Sequence, residues 1–331
     1  MGIIKRQSLK TSIVNYVGVL IGVVFFVFVF PHIVSEEYLG LIGLLQNLTF
    51  ILVSLPMLGL AHVLLRFYSV WKNGETTKHF NAFSLLIMGI ALLLFALAYL
   101  LLKTPIINTY KTHSALFLPY YFLIIPLVVI QAYSQYFEIY AMVKLRVAVP
   151  AFLREIGTRV LLITLVYLFA YQWLSEKQFV YGLVLVYIIT FIILIVYTVK
   201  RLDFKASQPM AYLHDKAFKS HMIYGGGMLF LTVFNNVTNF LDSIILPAYL
   251  GLGALGIYLR PLVLGQMIQV PYRAISLISI PIIREAIVEN NMQKVNSLNK
   301  DIAINLFQIG SFLFCLLVSN VDHIFSLFPA K

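Results

Sequence analysis

Residues 80–102 read FNAFSLLIMGIALLLFALAYLLL, twenty-three positions without one Asp, Glu, Lys, Arg or His. As an α-helix this run is about 34 Å long, enough to cross the ~30 Å hydrocarbon core of a bilayer. A water-soluble domain has no place for such a helix. The rest of the chain agrees: of 331 residues 61% are hydrophobic and 11% charged, with a mean hydropathy of +0.91, whereas soluble chains carry about a quarter charged residues. The composition therefore excludes a soluble enzyme and leaves an all-α integral membrane protein.

Applying the same length criterion along the chain gives about nine transmembrane helices, near residues 11–31, 38–63, 80–102, 115–138, 157–173, 178–199, 221–247, 255–283 and 302–325. The first follows Lys5, Arg6 and Lys10, but its apolar run exceeds a secretory h-region and no small-residue cleavage site follows, so it stays as a span. All connections are short. The longest, about 200–220, holds Lys200, Arg201, Lys205, Lys216 and Lys219.

The net charge is +11, and its distribution sets an expected orientation. The side that holds the N-terminus carries 17 Lys and Arg, the other only Lys103, Lys111, Lys177 and Lys331. The positive-inside rule then predicts a cytoplasmic N-terminus. The charge is topogenic, so nucleic acid is not an expected partner. Cys315 is the single cysteine and has no internal disulfide partner.

A weak internal repeat runs through the chain. Pro31 is followed eight residues later by Leu39-Gly40, and Pro247 eight residues later by Leu255-Gly256, an offset of 216 residues. Each Leu-Gly opens a helix with an internal proline, Pro56 or Pro271, and an arginine near its end, Arg66 or Arg284. Six spans separate the copies, so both enter the membrane in the same direction. The expected architecture is a parallel-repeat transporter: a six-helix bundle over 1–200, a cytoplasmic linker over 201–220, and three helices of a second bundle over 221–331. The same offset places the counterpart of the fourth helix near residue 331, where the sequence ends, so the second bundle is expected to be half present.

Ionisable and amide side chains inside spans are the functional candidates, because a charge at mid-bilayer costs on the order of 3 kcal/mol. Asn235, Asn239 and Asp242 fall within about 60° on one helix, and Gln266, Gln269 and Arg273 do so on the next. Asp242 and Arg260 are equidistant from Gly251, the middle of the connecting turn, and are expected to form a structural ion pair. Arg273 has no acid at its own depth, and guanidinium matches phosphate oxygens in a two-pronged geometry. It is the lead candidate for an anionic ligand, with the amides beside it. Glu155 and Arg159, four apart, are expected to pair locally. Arg66 and Arg154 at cytoplasmic helix ends can receive a phosphate headgroup, and Glu138 is the acid left for H+ or Na+ coupling. No HExxH, GxSxG, P-loop or GxGxxG context is present and the seven histidines show no metal-ligand spacing, so no enzyme activity, metal or cofactor is expected.

Several short motifs now combine: Asn15-Tyr16 after the basic start, Glu36-Glu37-Tyr38-Leu39-Gly40-Leu41, Leu58-Gly59-Leu60 followed by Arg66-Phe67-Tyr68, Leu255-Gly256-Ile257-Tyr258, and Ile280-Pro281. Together they resemble the bacterial polysaccharide biosynthesis flippases. These are the O-antigen (lipopolysaccharide) and capsule oligosaccharide translocases of the multidrug/oligosaccharidyl-lipid/polysaccharide exporter superfamily. The resemblance implies two six-helix bundles around a central cavity in the bacterial inner membrane. It implies alternating access, coupled to an ion gradient or the membrane potential, and a substrate of undecaprenyl diphosphate carrying an oligosaccharide. Cationic cavity residues hold the diphosphate in such proteins, a role that the match in the eighth span carries to Arg273. The rivals are a multidrug or cation antiporter of the same superfamily, which calls for an acidic cavity in the first bundle, and a membrane polymerase or ligase acting on lipid-linked sugars, which calls for a sizeable periplasmic loop that the sequence lacks.

Overall fold

The computed structural model describes residues 2–71, 74–269, 272, 275, 279, 283 and 291–326. The elements among them are helical, without a strand, as an all-α integral membrane protein requires. Among the described residues six stretches are long and apolar enough to cross a membrane: Glu36–Met57, Gly74–Leu101, Ala115–Val143, Glu176–Arg201, Phe218–Gly265 and Met292–Ser319. The elements are α1 (Gly2–Val23), α2 (Glu36–Leu52), α3 (Leu60–Phe67), α4 (Gly74–Leu101), α5 (Lys103–Tyr110), α6 (Ile124–Val143), α7 (Thr158–Ala170), α8 (Glu176–Arg201), α9 (Phe218–Phe240), α10 (Asp242–Met267), α11 (Met292–Ser319) and α12 (Val321–Ser326).

The expected first and fifth spans are assembled from pieces, each for a local reason. After α1 the helix widens into a π turn, Val24–Val29, just before Pro31. A proline ring clashes with the carbonyl four residues earlier in a regular α-helix, and a wider turn relieves that contact. The fifth span begins with the short helix Ala148–Phe152, passes through a second π turn, Leu153–Gly157, and continues as α7. The second span breaks after Pro56, where Leu58 and Gly59 adopt left-handed backbone angles (φ 50° and 69°).

The stretch Phe218–Gly265 is 48 residues long, about 72 Å if straight, so it must fold on itself. It does so at Gly251, whose φ of 89° and ψ of 168° are non-helical. The Tyr258 hydroxyl donates to the Asp242 carboxylate across the reversal. A side chain at Gly251 would also press on the His113 carbonyl, 2.8 Å from an added Cβ.

The expected repeat has a physical counterpart in how α2 meets the second half of α10. A Cβ added at Gly40 would lie 1.9 Å from the Leu252 carbonyl oxygen, and one at Gly256 would lie 2.1 Å from that of Glu36. The two contacts exchange under the 216-residue offset, and Gly43 faces its own counterpart, Leu259, at 2.2 Å. The helices therefore run parallel and cross backbone to backbone around a local two-fold axis. Only glycine allows that approach. Of the three glycines at 225–227, Gly225 alone is in close contact, its carbonyl 2.0 Å from a Cβ built on Gly59, while Gly226 and Gly227 have nothing within 4 Å.

The connection after α8 is strapped to the base of α4. Asn81 Nδ2 donates to the Lys205 carbonyl (3.0 Å), the Ser207 amide to that of Lys78 (3.2 Å), and His79 Nδ1 meets the Ser207 carbonyl at 2.9 Å. Tyr212 is 1% exposed, packed edge-on against Trp71, Phe80 and Phe218, with its hydroxyl 2.6 Å from His221 Nδ1. Burial pushes that hydroxyl well above its ordinary pKa, so it stays protonated.

Replacing Gly40 by alanine places a methyl group on a carbonyl that no side-chain rotation can clear. Gly40→Ala is expected to lower stability by about 2 kcal/mol, read as a loss of thermal unfolding temperature in detergent micelles, while Gly226→Ala leaves it unchanged. Equal behaviour of the two variants would show that the crossing is not close-packed.

Candidate functional site

A cavity of about 590 Å³ lies below the α2–α10 crossing, walled by α1, α2, α6, the second π turn with α7, α8 and α10. It extends from Leu39 and Phe30 near the crossing to Pro150, Arg154 and Glu138 at the opposite ends of their helices. Arg154 is 54% exposed there, so this is the end that admits water.

Its polar lining is a chain of ion pairs. Arg154 Nη1 donates to Glu138 Oε2 at 2.7 Å and Arg154 Nε to Glu155 Oε1 at 3.1 Å. The other oxygen of Glu155 takes Arg159 Nη2 at 3.1 Å. Apart from them, Arg260 Nη2 donates to Glu36 Oε1 at 3.2 Å. Three guanidiniums thus sit among three carboxylates, which satisfies the rule that charges away from water are paired. Above the chain, Gln46 Nε2 donates to the Tyr187 hydroxyl at 3.0 Å.

Local structure explains how Arg154, Glu155 and Arg159 share one place. The π turn Leu153–Gly157 spans Arg154 and Glu155, and its extra residue per turn shifts the facing of side chains that an α-helix would splay apart. α1 supplies the space. A Cβ at Gly18 would lie 2.7 Å from Glu155 Cβ, and one at Gly22 would lie 3.0 Å from the Arg159 guanidinium carbon. Gly18 and Gly22 form a small-xxx-small slot into which the Glu155–Arg159 pair fits. Arg159 Nη1, buried in that slot, has no hydrogen-bond partner among the described residues.

The residues singled out from sequence fall into three groups. Arg154, Glu138, Glu155, Arg159 and Arg260 line the cavity. Arg66, Asn235 and Asn239 do not. Arg66 lies over the Tyr224 ring, 4.4 Å from its centre, while the exposed Asn239 side chain bonds to Asn235 one turn back. The amide that α9 turns toward the second span is instead Asn236, donating to the Phe50 carbonyl at 2.8 Å and to Ser54 Oγ at 2.9 Å. Gln269 is exposed; Arg273 and the side chain of Gln266 lie outside the described residues.

The ion pair expected between Asp242 and Arg260 is corrected: Arg260 pairs with Glu36, and Asp242 accepts from Tyr258 and from the Ser243 amide. The hairpin brings Tyr258 to Asp242 in place of Arg260, and α2 runs alongside and presents a carboxylate to Arg260. Reading the sequence also missed Glu36 and the Gly18/Gly22 slot. For the slot a signal was present, the spacing of two glycines four apart in an apolar span.

Fold and site define a class: a multi-pass helical membrane protein with a polar, ion-paired cavity beneath one closed end. The chain belongs to the polysaccharide biosynthesis protein family, whose family model matches residues 4–286. No curated protein and no solved structure matches the chain.

Because Arg159 and Glu155 satisfy each other in the slot, removing either strands the other. Glu155→Gln and Arg159→Gln are each expected to destabilise the protein, and the double variant by less than their sum, with a coupling of about 1–2 kcal/mol. A double-mutant cycle of thermal unfolding in micelles measures it; strict additivity would mean that the pair does not hold α7 to α1.

Proposed function

We propose that the protein is a flippase that carries an undecaprenyl-diphosphate-linked oligosaccharide from the cytoplasmic to the periplasmic leaflet of a bacterial inner membrane by alternating access. Family membership supplies the pathway, polysaccharide biosynthesis. The observation that carries the reading is the order of charges in the cavity. Arg154 is 54% exposed, while its partners Glu138 and Glu155 are 21% and 20% exposed. A headgroup arriving from the open end meets a guanidinium first, with the carboxylates behind it. Arg154 already reaches two carboxylates at once, through Nη1 and Nε, and guanidinium matches phosphate oxygens in a fork geometry.

With the N-terminus cytoplasmic, as the 17 to 4 distribution of Lys and Arg predicts, the open end faces the cytoplasm, where lipid-linked sugars are made. The oligosaccharide occupies the cavity among Gln46, Asn47 and Tyr187 while the polyprenyl chain stays in lipid. In this reading the two bundles, over 1–200 and from 221 onward, rock about the midplane. The resemblance carries the same anion-binding role to Arg273, with Gln266 and Gln269 as its neighbours in sequence. Glu138, once released by Arg154, is the site for a coupling H+ or Na+. No covalent step is involved. Cation antiport is the weaker reading, because Glu36, Glu138 and Glu155 are each already held by arginine.

Arg154→Ala in the full-length protein is expected to reduce translocation of lipid-linked oligosaccharide at least about tenfold, the loss of one charge-assisted hydrogen-bond pair, with Arg154→Lys intermediate. The measurement is the fraction of oligosaccharide reached by an impermeant glycosidase on each face of proteoliposomes. Unchanged transport in Arg154→Ala would overturn the reading.

A further inference from the structure

The middle of the cavity differs in chemistry from both of its ends. The paired charges lie at two levels: Arg154, Glu138, Glu155 and Arg159 toward the open end, and Arg260 with Glu36 beside the crossing. Between them the polar lining is uncharged. On α6, Gln131 and Ser134 stand about 10 and 6 Å along the helix from Glu138, and on α2 Gln46 and Asn47 follow the crossing. Gln46 is committed in part, donating to the Tyr187 hydroxyl at 3.0 Å. Asn47, Gln131 and Ser134 line the cavity and make no hydrogen bond among the described residues. The hydroxyls of Thr49, Thr164 and Thr190 return to a carbonyl of their own helix; that of Ser134 does not.

One wall at this level is aromatic. Phe50 and Phe240 stack, 5.5 Å between ring centres and 17° between planes, and both reach the cavity surface. Asn236, one turn before Phe240, donates to the Phe50 carbonyl and holds α9 to α2 behind the rings. The chemistry of such a lining is specific. Enclosed amides need hydrogen-bond partners, and an amide both donates and accepts, as the hydroxyls of a sugar do. The face of an aromatic ring is negative and takes the C–H face of a pyranose. A carboxylate in the same place meets no cation, because Arg154, Arg159 and Arg260 are already matched by Glu138, Glu155 and Glu36. An enclosed anion without a cation beside it is strongly disfavoured.

We propose that Asn47, Gln131 and Ser134, with the Phe50–Phe240 pair as a platform, form a selectivity site that accepts an uncharged sugar and rejects one that carries a carboxylate. The amides and the hydroxyl bind the ring hydroxyls from one side while the aromatic pair seats the apolar face. That the sugar arrives on a lipid diphosphate rests on the flippase reading; the choice between neutral and acidic sugars rests on the lining alone.

The test uses the full chain in nanodiscs and two probes: undecaprenyl diphosphate carrying glucose, and the same lipid carrying glucuronic acid, in which a carboxylate replaces the hydroxymethyl group. Native mass spectrometry of the two in competition reads the bound ratio directly. The wild-type protein is expected to hold the glucose lipid about tenfold over the acid. Asn47→Leu and Gln131→Leu are each expected to weaken binding of the glucose lipid about fivefold. Gln131→Lys supplies the missing cation and is expected to turn the preference toward glucuronic acid, a reversal that a merely structural amide would not give; Asn47→Lys does the same from the facing helix. Phe50→Leu keeps apolar bulk but loses the ring face and is expected to weaken both lipids about fivefold, whereas Phe50→Tyr keeps the binding. No preference in the wild-type protein, or an unchanged preference in both lysine variants once folded, would overturn the proposal. Preference for the glucose lipid in a protein that translocates neither would remove the flippase reading and leave the site standing. Translocation of both lipids at equal rates would remove the site and leave the flippase.

Discussion

The approach of α2 and α10 to backbone contact at Gly40 and Gly256 is the constraint on which the remaining architecture depends. In a bilayer there is little hydrophobic gain from joining two apolar helices, since lipid tails are as apolar as leucine; close van der Waals contact and polar satisfaction must do it. Two glycines placed reciprocally give that contact at one level only. Gly43 allows Leu259 to fill the next level. Beyond it the residues facing inward are Gln46, Asn47 and Phe50 on α2 and Val263 on α10, all of them cavity lining. A tight crossing at one end and a water-holding gap below it are two results of the same pair of sequences.

Such a gap creates an electrostatic problem that the ion pairs solve. Arg159 and Arg260, 25% and 6% exposed, would be costly to enclose if alone, and each is met by a carboxylate within 3.2 Å, as is the more exposed Arg154. Because the local charges balance, the protein folds around a cavity with no net demand for a counter-ion. Two of the partners lie on other elements than their arginine, Glu138 on α6 for Arg154 and Glu36 on α2 for Arg260, so those two pairs are also tethers between helices. The tethers are exchangeable in a way that apolar packing is not, since another set of anionic oxygens satisfies a guanidinium equally well.

Much of this was legible before any coordinates. The spans follow from run length alone, because the bilayer imposes a length that no soluble element shares, and the 216-residue offset picked out Gly40 and Gly256, the residues that touch. Glu155 with Arg159 followed from spacing. What stayed hidden depends on tertiary neighbours. Depth along a hairpin gave Arg260 the wrong acid because a third helix, invisible to that reasoning, carries Glu36. Helical phase put Asn235 and Asn239 on a wet face, yet the residue turned toward the second span is Asn236, one step round the helix. The face that meets a neighbour is set by the neighbour and not by the polarity of the stripe. The π turns leave no mark in hydropathy, although Pro31 marks where one of them is needed.

The connection after α8 makes a similar point about motion. Its five cations and lack of apolar periodicity read as a solvated linker, and a linker of that kind would leave the helices after it free to move as a unit. The Asn81 side chain donating to the Lys205 carbonyl, the Ser207 amide donating to the Lys78 carbonyl, and the enclosure of Tyr212 by Trp71, Phe80 and Phe218 tie the connection to α4 up to the first turn of α9. His221 closes the attachment through Tyr212 and packs, tilted, against Phe67 of α3 at 4.1 Å between ring centres. The lower end of α9 is therefore anchored to α3 and α4, while the Gly251 end of α10 is held by the glycine crossing, by buried Leu252 and Leu255, by the Arg260–Glu36 pair, and by the Tyr110 and Ser114 hydroxyls that donate to the Ile244 and Pro247 carbonyls. The two attachments differ in kind: aromatic enclosure at the one, backbone contact with an ion pair beside it at the other.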